Sequence, residues 1–196
     1  LTEVAFPGKD PDGNPLVAHN VGDSGRCMVC HQGRASKASV DAQIEKFKIT
    51  DLDAVVAPIK DDKGNDVNFG FINIHYFAAA ATLYGTEVKG GYEYEDKTYD
   101  AKNQHVTGFA ECAACHSPHT LEVQVEKCAE CHEGVKTFED LKNVRMVSSS
   151  PDYDGDGDVK EGMAKEIEGL QVALLAEIQK YAKDKAGAGI AYDPAT

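Results

Sequence analysis

Hydrophobic positions recur at steps of three and four over one long stretch, Val159 to Lys183, where Met163, Ile167, Leu170, Leu174, Ile178 and Tyr181 would share one face of a helix. Gly162 and Gly169 weaken that helix slightly. A second helix is predicted over FGFINIHYFAAAATLYG, Phe69 to Gly85, since the alanine run favours helix and Gly85 suits the position just past its end. A third covers Ser39 to Lys48, with Val40, Ile44 and Phe47 on one face and Ser39 as cap. Alternation in LEVQVEK sets Leu121, Val123 and Val125 against Glu122, Gln124 and Glu126, the mark of a half-buried strand. Gly91 to Asp100 reads as a tight hairpin with Tyr92 and Tyr94 on one face, and Asp61 to Asp66 as a turn. Residues 1–26, crowded with Pro, Gly, Asp and Asn, show no period and read as an extended arm; the tail GAGIAYDPAT is flexible by composition. The expected fold class is mainly α with much irregular loop and little β, ending in an amphipathic C-terminal helix. Three parts follow: an arm over 1–26, a core over 27–147, and an acidic loop, helix and tail over 148–196.

The chemistry lies in a motif that occurs three times. C-x-x-C-H stands at Cys27, Cys30 and His31, at Cys112, Cys115 and His116, and at Cys128, Cys131 and His132. Two thiols three positions apart can each form a thioether to one vinyl group of the same porphyrin, and the next residue then falls under the iron. The chain is therefore expected to carry three covalently bound haem c groups, with His31, His116 and His132 as proximal ligands. A zinc ribbon does not require those histidines, and a thioredoxin-like dithiol would need a βαβ pattern that is absent. All six cysteines are used by the three motifs. Eleven residues, 117–127, separate His116 from Cys128, a tether of about 40 Å at full extension, so the second and third haems should be neighbours. Haem also changes the reading of the 42% hydrophobic composition without tryptophan, which is thin for a large core: three apolar discs would supply much of it, making 27–147 a haem-organised trihaem core.

Four histidines lie outside the motifs. His75, His105 and His119 are candidate distal iron ligands, because neutral imidazole is a standard axial partner and their number matches that of the irons. His19 rides on the arm and is either a solvated surface histidine or a ligand, in this or an adjacent copy. PDYDGDGDVKEG, residues 151–162, matches the start of a calcium loop, with Asp152, Asp154 and Asp156 at positions 1, 3 and 5, Gly157 at position 6 and Asp158 following. Met163 at position 12 cannot bind a hard cation, so Glu161 or Glu166 would have to complete a calcium site; a solvated acidic turn is the alternative.

Net charge is −13 and the pI near 4.9, which argues against nucleic acid or anionic membrane surfaces as partners. No run of 18 apolar residues occurs, so no transmembrane segment is expected. The chain opens at Leu1 and is expected to be a processed mature form. CMVCHQGR, HYFAAAATLYG followed by GYEYEDKTY, CHSPHTLEV and the DYDGDGD loop before a C-terminal helix resemble multihaem c-type cytochromes, and are similar to small extracellular members from environmental bacteria. The resemblance implies an electron carrier at the cell surface or beyond, with redox proteins or extracellular acceptors as partners and homo-oligomers or haem filaments (nanowires) as one assembled form, although filament-forming members carry four or more motifs. The alternatives are a soluble periplasmic shuttle and a small multihaem reductase with one open iron.

Overall fold

The structure, a computed structural model, describes residues 1–51 and 59–193. It is 36% helical and 9% strand, so the mainly helical, loop-rich fold class with a long C-terminal helix holds. The chain divides into two compact units, Leu1–Pro118 and His119–Thr196.

The first unit is built on the segment expected to be an extended arm. There β1 (Glu3–Lys9) pairs antiparallel with β2 (Pro15–His19), in the register Glu3 to His19 and Val4 to Ala18. Val4, Phe6 and Gly8 are buried in alternation with exposed Glu3, Ala5 and Lys9 and half-buried Pro7, a period of two that the Pro and Gly residues hide. Gly8 is required by packing, since a Cβ there would lie 1.9 Å from the Val88 carbonyl oxygen. The loop is closed by Asp10, whose Oδ1 accepts the Asn14 N–H at 2.8 Å while its carbonyl accepts that of Gly13 at 3.0 Å. The same D-x-x-G-N pattern recurs at Asp61–Asn65, where it closes the two-residue strands β3 (Ile59–Lys60) and β4 (Asp66–Val67). The predicted turn at Asp61 is therefore the tip of a hairpin.

Helices α1 (Gly25–His31), α2 (Lys37–Lys46), α3 (Ala79–Tyr84) and α4 (Cys112–Cys115) complete the unit. The buried cluster joins Val4, Phe6 and Ala18 of the hairpin to Val21, Met28 of α1, Ala80, Ala81 and Tyr84 of α3, and Val88. The Phe6 and Tyr84 rings lie 5.7 Å apart. Helix α2 starts two residues before the expected Ser39; its cap is Ser36, and Ser39 is the partner that returns a bond to the Ser36 N–H at 3.1 Å. The helix predicted over Phe69–Gly85 is confined to its alanine-rich end. Upstream the Asn73 carboxamide oxygen accepts the His75 N–H at 2.7 Å, a local turn that competes with helix among residues whose aromatic or branched side chains favour helix weakly. No strands form over Gly91–Asp100 either. Instead the Tyr92 and Tyr94 rings meet edge to face at 5.0 Å, and Tyr94 N–H donates to the Tyr99 hydroxyl at 2.9 Å.

Of the strand predicted over LEVQVEK, residues 121–127 in the second unit, only a single bridge residue, Val123, is seen, and α5 (Val125–Ala129) takes its last three positions. Helix α6 (Met163–Ala186) starts four residues later and ends three later than predicted. Its apolar stripe is largely exposed: Ile167, Leu174 and Tyr181 keep half or more of their surface. Gly169, a weak point by propensity, has a packing reason, because its missing Cβ leaves room for the Asp154 carboxylate, which would otherwise stand 1.7 Å away. Past Gly187, in the left-handed conformation, the Gln179 amide donates to the Ile190 carbonyl at 3.0 Å, so this part of the tail turns back along the helix; its last three residues lie outside the described ones.

Candidate haem-attachment and cation sites

The first C-x-x-C-H run is helical throughout in α1, which sets positions i, i+3 and i+4 on one face; the second is helical up to Cys115, with His116 extended, and the third begins in the last turn of α5 and leaves it as a turn. In α1, Met28 is buried in the core while Cys27 and Cys30 are exposed and His31 is half-buried. The inner face anchors the motif and the outer face presents it. In α4 the His116 N–H closes the turn on the Cys112 carbonyl at 2.9 Å, and at the end of α5 the Cys131 and His132 N–H groups close on the Cys128 carbonyl at 3.2 and 2.9 Å. None of the six cysteines, all among the described residues, is in a disulfide. Burial first, and then the neighbouring Cys112 thiol, push the Cys27 thiol up.

His31 Nδ1 lies 2.7 Å from the Phe77 carbonyl oxygen. A carbonyl only accepts, so the contact requires the proton on Nδ1, and in the neutral ring Nε2 then keeps its lone pair. That is the tautomer an axial iron ligand requires, with the second nitrogen oriented by a backbone acceptor. The segment that supplies this carbonyl also exposes Phe71 and Phe77, each more than 90% accessible, with Ile74 and Tyr76 half exposed. Such a surface suits the face of a flat apolar group. The donor set and this surface fit haem c.

His75 belongs to the same segment. Its φ is +73°, a left-handed conformation that costs a non-glycine residue free energy and is concentrated at functional sites. Its ring lies 4.3 Å from that of Tyr76, which is in turn 6.0 Å from His31. Tyr76 is thus flanked by a motif histidine and a distal candidate. His19 closes β2 opposite Glu3, with Nδ1 3.3 Å from its carboxylate, and is exposed. His105 is exposed beside Phe109, with ring centroids 6.0 Å apart, and His119 is exposed in a turn.

The acidic loop folds around its own carboxylates. Asp152 accepts the N–H groups of Gly155 and Gly157 at 2.7 and 2.9 Å, and Asp154 accepts that of Asp156 at 3.1 Å. Two overlapping groups result, Asp152–Asp154–Asp156 and Asp154–Glu161–Glu166, with oxygens of each group within 4.8 Å of one another. Asp158 stands in neither and accepts the Lys160 N–H at 3.0 Å. Glu166 is fully buried, paired with Arg145 and accepting the Tyr153 and Asp154 N–H groups at 2.8 and 3.2 Å. Arg145 also donates to the carbonyls of Ser149, Pro151 and Glu161, tying the loop to α6. Its hydrogen bond holds the Glu166 carboxyl below the usual range. Glu161 is the opposite case: burial, then the charges of Asp156, Asp154 and Glu166, push it up. Its Oε1 is buried with no hydrogen-bond partner. A buried acceptor without a donor is costly, and a hard cation among oxygen ligands would satisfy it. Sequence reasoning missed Arg145 and the Phe77 carbonyl, since an isolated arginine and a backbone group leave no pattern.

Comparison with known proteins gives a partial likeness. The C-type polyheme cytochrome OmcB from two strains of Geobacter sulfurreducens is 34% identical to this chain over 80 residues, which is 41% of the chain and 8% of the relative. The chain thus spans under a tenth of the length of these curated relatives. No family model and no solved structure matches it. The likeness points to a multihaem c-type cytochrome and, with it, to electron transfer.

Proposed function

We propose that the chain is a trihaem c-type cytochrome that carries electrons, each haem held by two thioethers and a motif histidine. The observation that carries this reading is the threefold C-x-x-C-H motif, supported by the hydrogen bond of His31 Nδ1 to a backbone carbonyl, which leaves Nε2 of the neutral ring for iron. Bound haem c supplies a one-electron ferric/ferrous couple. The polypeptide attaches the groups through Cys27 and Cys30, Cys112 and Cys115, and Cys128 and Cys131, and orients the imidazoles of His31, His116 and His132. We assign His75 as a distal ligand on its strained backbone and its place beside Tyr76; His105 and His119 are the further candidates, and His19 the spare. No described helix is long and apolar enough to cross a membrane. Thioether haem is attached outside the bacterial or archaeal cytoplasm, so the proposed location is the cell surface or beyond.

Mass spectrometry and the pyridine haemochromogen spectrum test the reading: three haems per chain are expected, falling to two when the cysteine pair of any one motif is changed to alanine. A mass equal to the bare 21.1 kDa chain would sink it. Carbon monoxide binding to the reduced protein would favour the reductase alternative, which needs an open iron; its absence is expected of bis-histidine ligation. Homopolymerisation into a filament is the finer proposal, supported by the exposed apolar stripe of α6. Negative-stain microscopy of secreted material decides between it and a soluble periplasmic shuttle.

The acidic loop is proposed to hold a structural calcium ion through Asp152, Asp154, Asp156 and Glu161, supported by the unpartnered Glu161 oxygen. Exhaustive chelation should lower the melting temperature and readdition of calcium restore it. An unchanged melting curve, with no metal by elemental analysis, rejects the ion.

A further inference from the structure

Ser24 sits at the N-terminal end of α1, where a serine ordinarily caps its own helix. Here its side chain makes no such bond. Its Oγ instead accepts the Cys112 N–H at 2.9 Å and donates to Glu111 Oε2 at 2.5 Å. Cys112 opens α4, and its N–H is one of the helix-end donors that lack an intrahelical partner. Ser24 therefore caps the helix of the second motif across a sequence separation of 88 residues. It is only 3% exposed, so the contact is shielded from water, while Glu111 reaches in from the surface. The consequence is that α4 is tied at Cys112, the first cysteine of its motif, to the residue that opens the helix carrying Cys27, the first cysteine of a motif far away in sequence.

We propose that Ser24 and Glu111 are positioning residues that hold the first and second haem-attachment points together, so that these two haems form a directly coupled pair. This rests on the haem reading above and deepens it. The Ser24 contact joins the first attachment point to the second, which sequence distance would leave unconnected. Neither Ser24 nor Glu111 belongs to an attachment motif, so each can be changed without removing a thioether or a motif histidine.

The test uses the full chain with the third motif removed by Cys128→Ala/Cys131→Ala, so that two haems remain and Soret circular dichroism reads the coupling between them. A two-signed Soret couplet is expected. It should be lost in Glu111→Ala and Ser24→Ala but kept in Glu111→Gln, whose amide oxygen still accepts the Ser24 hydroxyl, with two haems per chain in every variant. Should Ser24→Ala not fold, the surface variant Glu111→Ala carries the decision. A two-haem protein without a couplet, or a Glu111→Ala variant that keeps it unchanged, overturns the proposal and leaves the haem reading standing. A chain without haem overturns that reading itself, and mass detects this before any dichroism is measured.

Discussion

A single buried arginine organises the acidic end of the second unit. Arg145 and Glu166 expose 7% and 0% of their side chains, and although backbone groups solvate both, each is the other's compensating charge. Removing one partner leaves the second buried and uncompensated, whereas replacing both with apolar groups of similar size does not. Glu166→Gln is therefore expected to lower the melting temperature by roughly 5–15 °C, and Arg145→Met/Glu166→Met to recover most of that loss. Thermal melts in chelated buffer check both. A double variant as unstable as the single one would show that the pair does more than neutralise itself. At this scale the sequence was legible where chemistry imposes a spacing, as in C-x-x-C-H or Asp152-x-Asp154-x-Asp156. It was illegible where the partner is a backbone atom or a distant side chain: nothing in the order of residues connects His31 to the Phe77 carbonyl, or Arg145 to a glutamate 21 positions on.

Elements were legible to the extent that one local signal dominated. The amphipathic period of α6 had no competitor, and the structure keeps it. In Phe69–Gly85 two signals conflict: the alanines make α3, while Asn73 and the aromatic residues before them turn the chain locally and leave His75 left-handed. The N-terminal hairpin was missed because its alternation is interrupted by Pro7 and Gly8, yet its loop carries the same D-x-x-G-N pattern as the turn at Asp61. Both aspartates are held below their usual range, first by the side-chain amide of Asn14 or Asn65 and then by backbone N–H groups. A carboxyl depressed on folding contributes stability above its unfolded value, near 3.9, and loses it as pH falls through the folded value. Amide protection of β1 and β2 should therefore weaken below about pH 4, as hydrogen exchange followed down the acid range would record. Asp10→Ala should weaken it already at neutral pH and remove that acid dependence from the first hairpin. Unaltered exchange in the variant would mean that the strands hold the turn, not the reverse.

For the whole molecule the question is what fills the interior. Among the described residues the buried hydrophobic cluster draws on the hairpin, α1, α3 and Val88, all in the first unit, whereas the second unit buries little beyond Val135, Glu166 and Ala182. Folding must offset a conformational entropy of about 1–2 kcal/mol per residue, which burial on this scale does not do for the second unit. If three haems complete the interior, the two units should respond differently to their loss. In a chain with all six cysteines changed to alanine, β1, β2 and α3 should keep slowly exchanging amides, since Val4, Phe6, Ala80 and Tyr84 pack without help. Over α5 and the segment that leads to the acidic loop, protection should fall to that of an unfolded chain, even when calcium holds the loop itself. Hydrogen exchange read by mass spectrometry separates the two segments in one experiment. Equal protection in both would mean that the polypeptide folds first and receives its haems afterwards as passengers. Unequal loss would make attachment a folding step for the second unit, with the first motif, anchored by Met28, presented by a core that exists before any haem arrives.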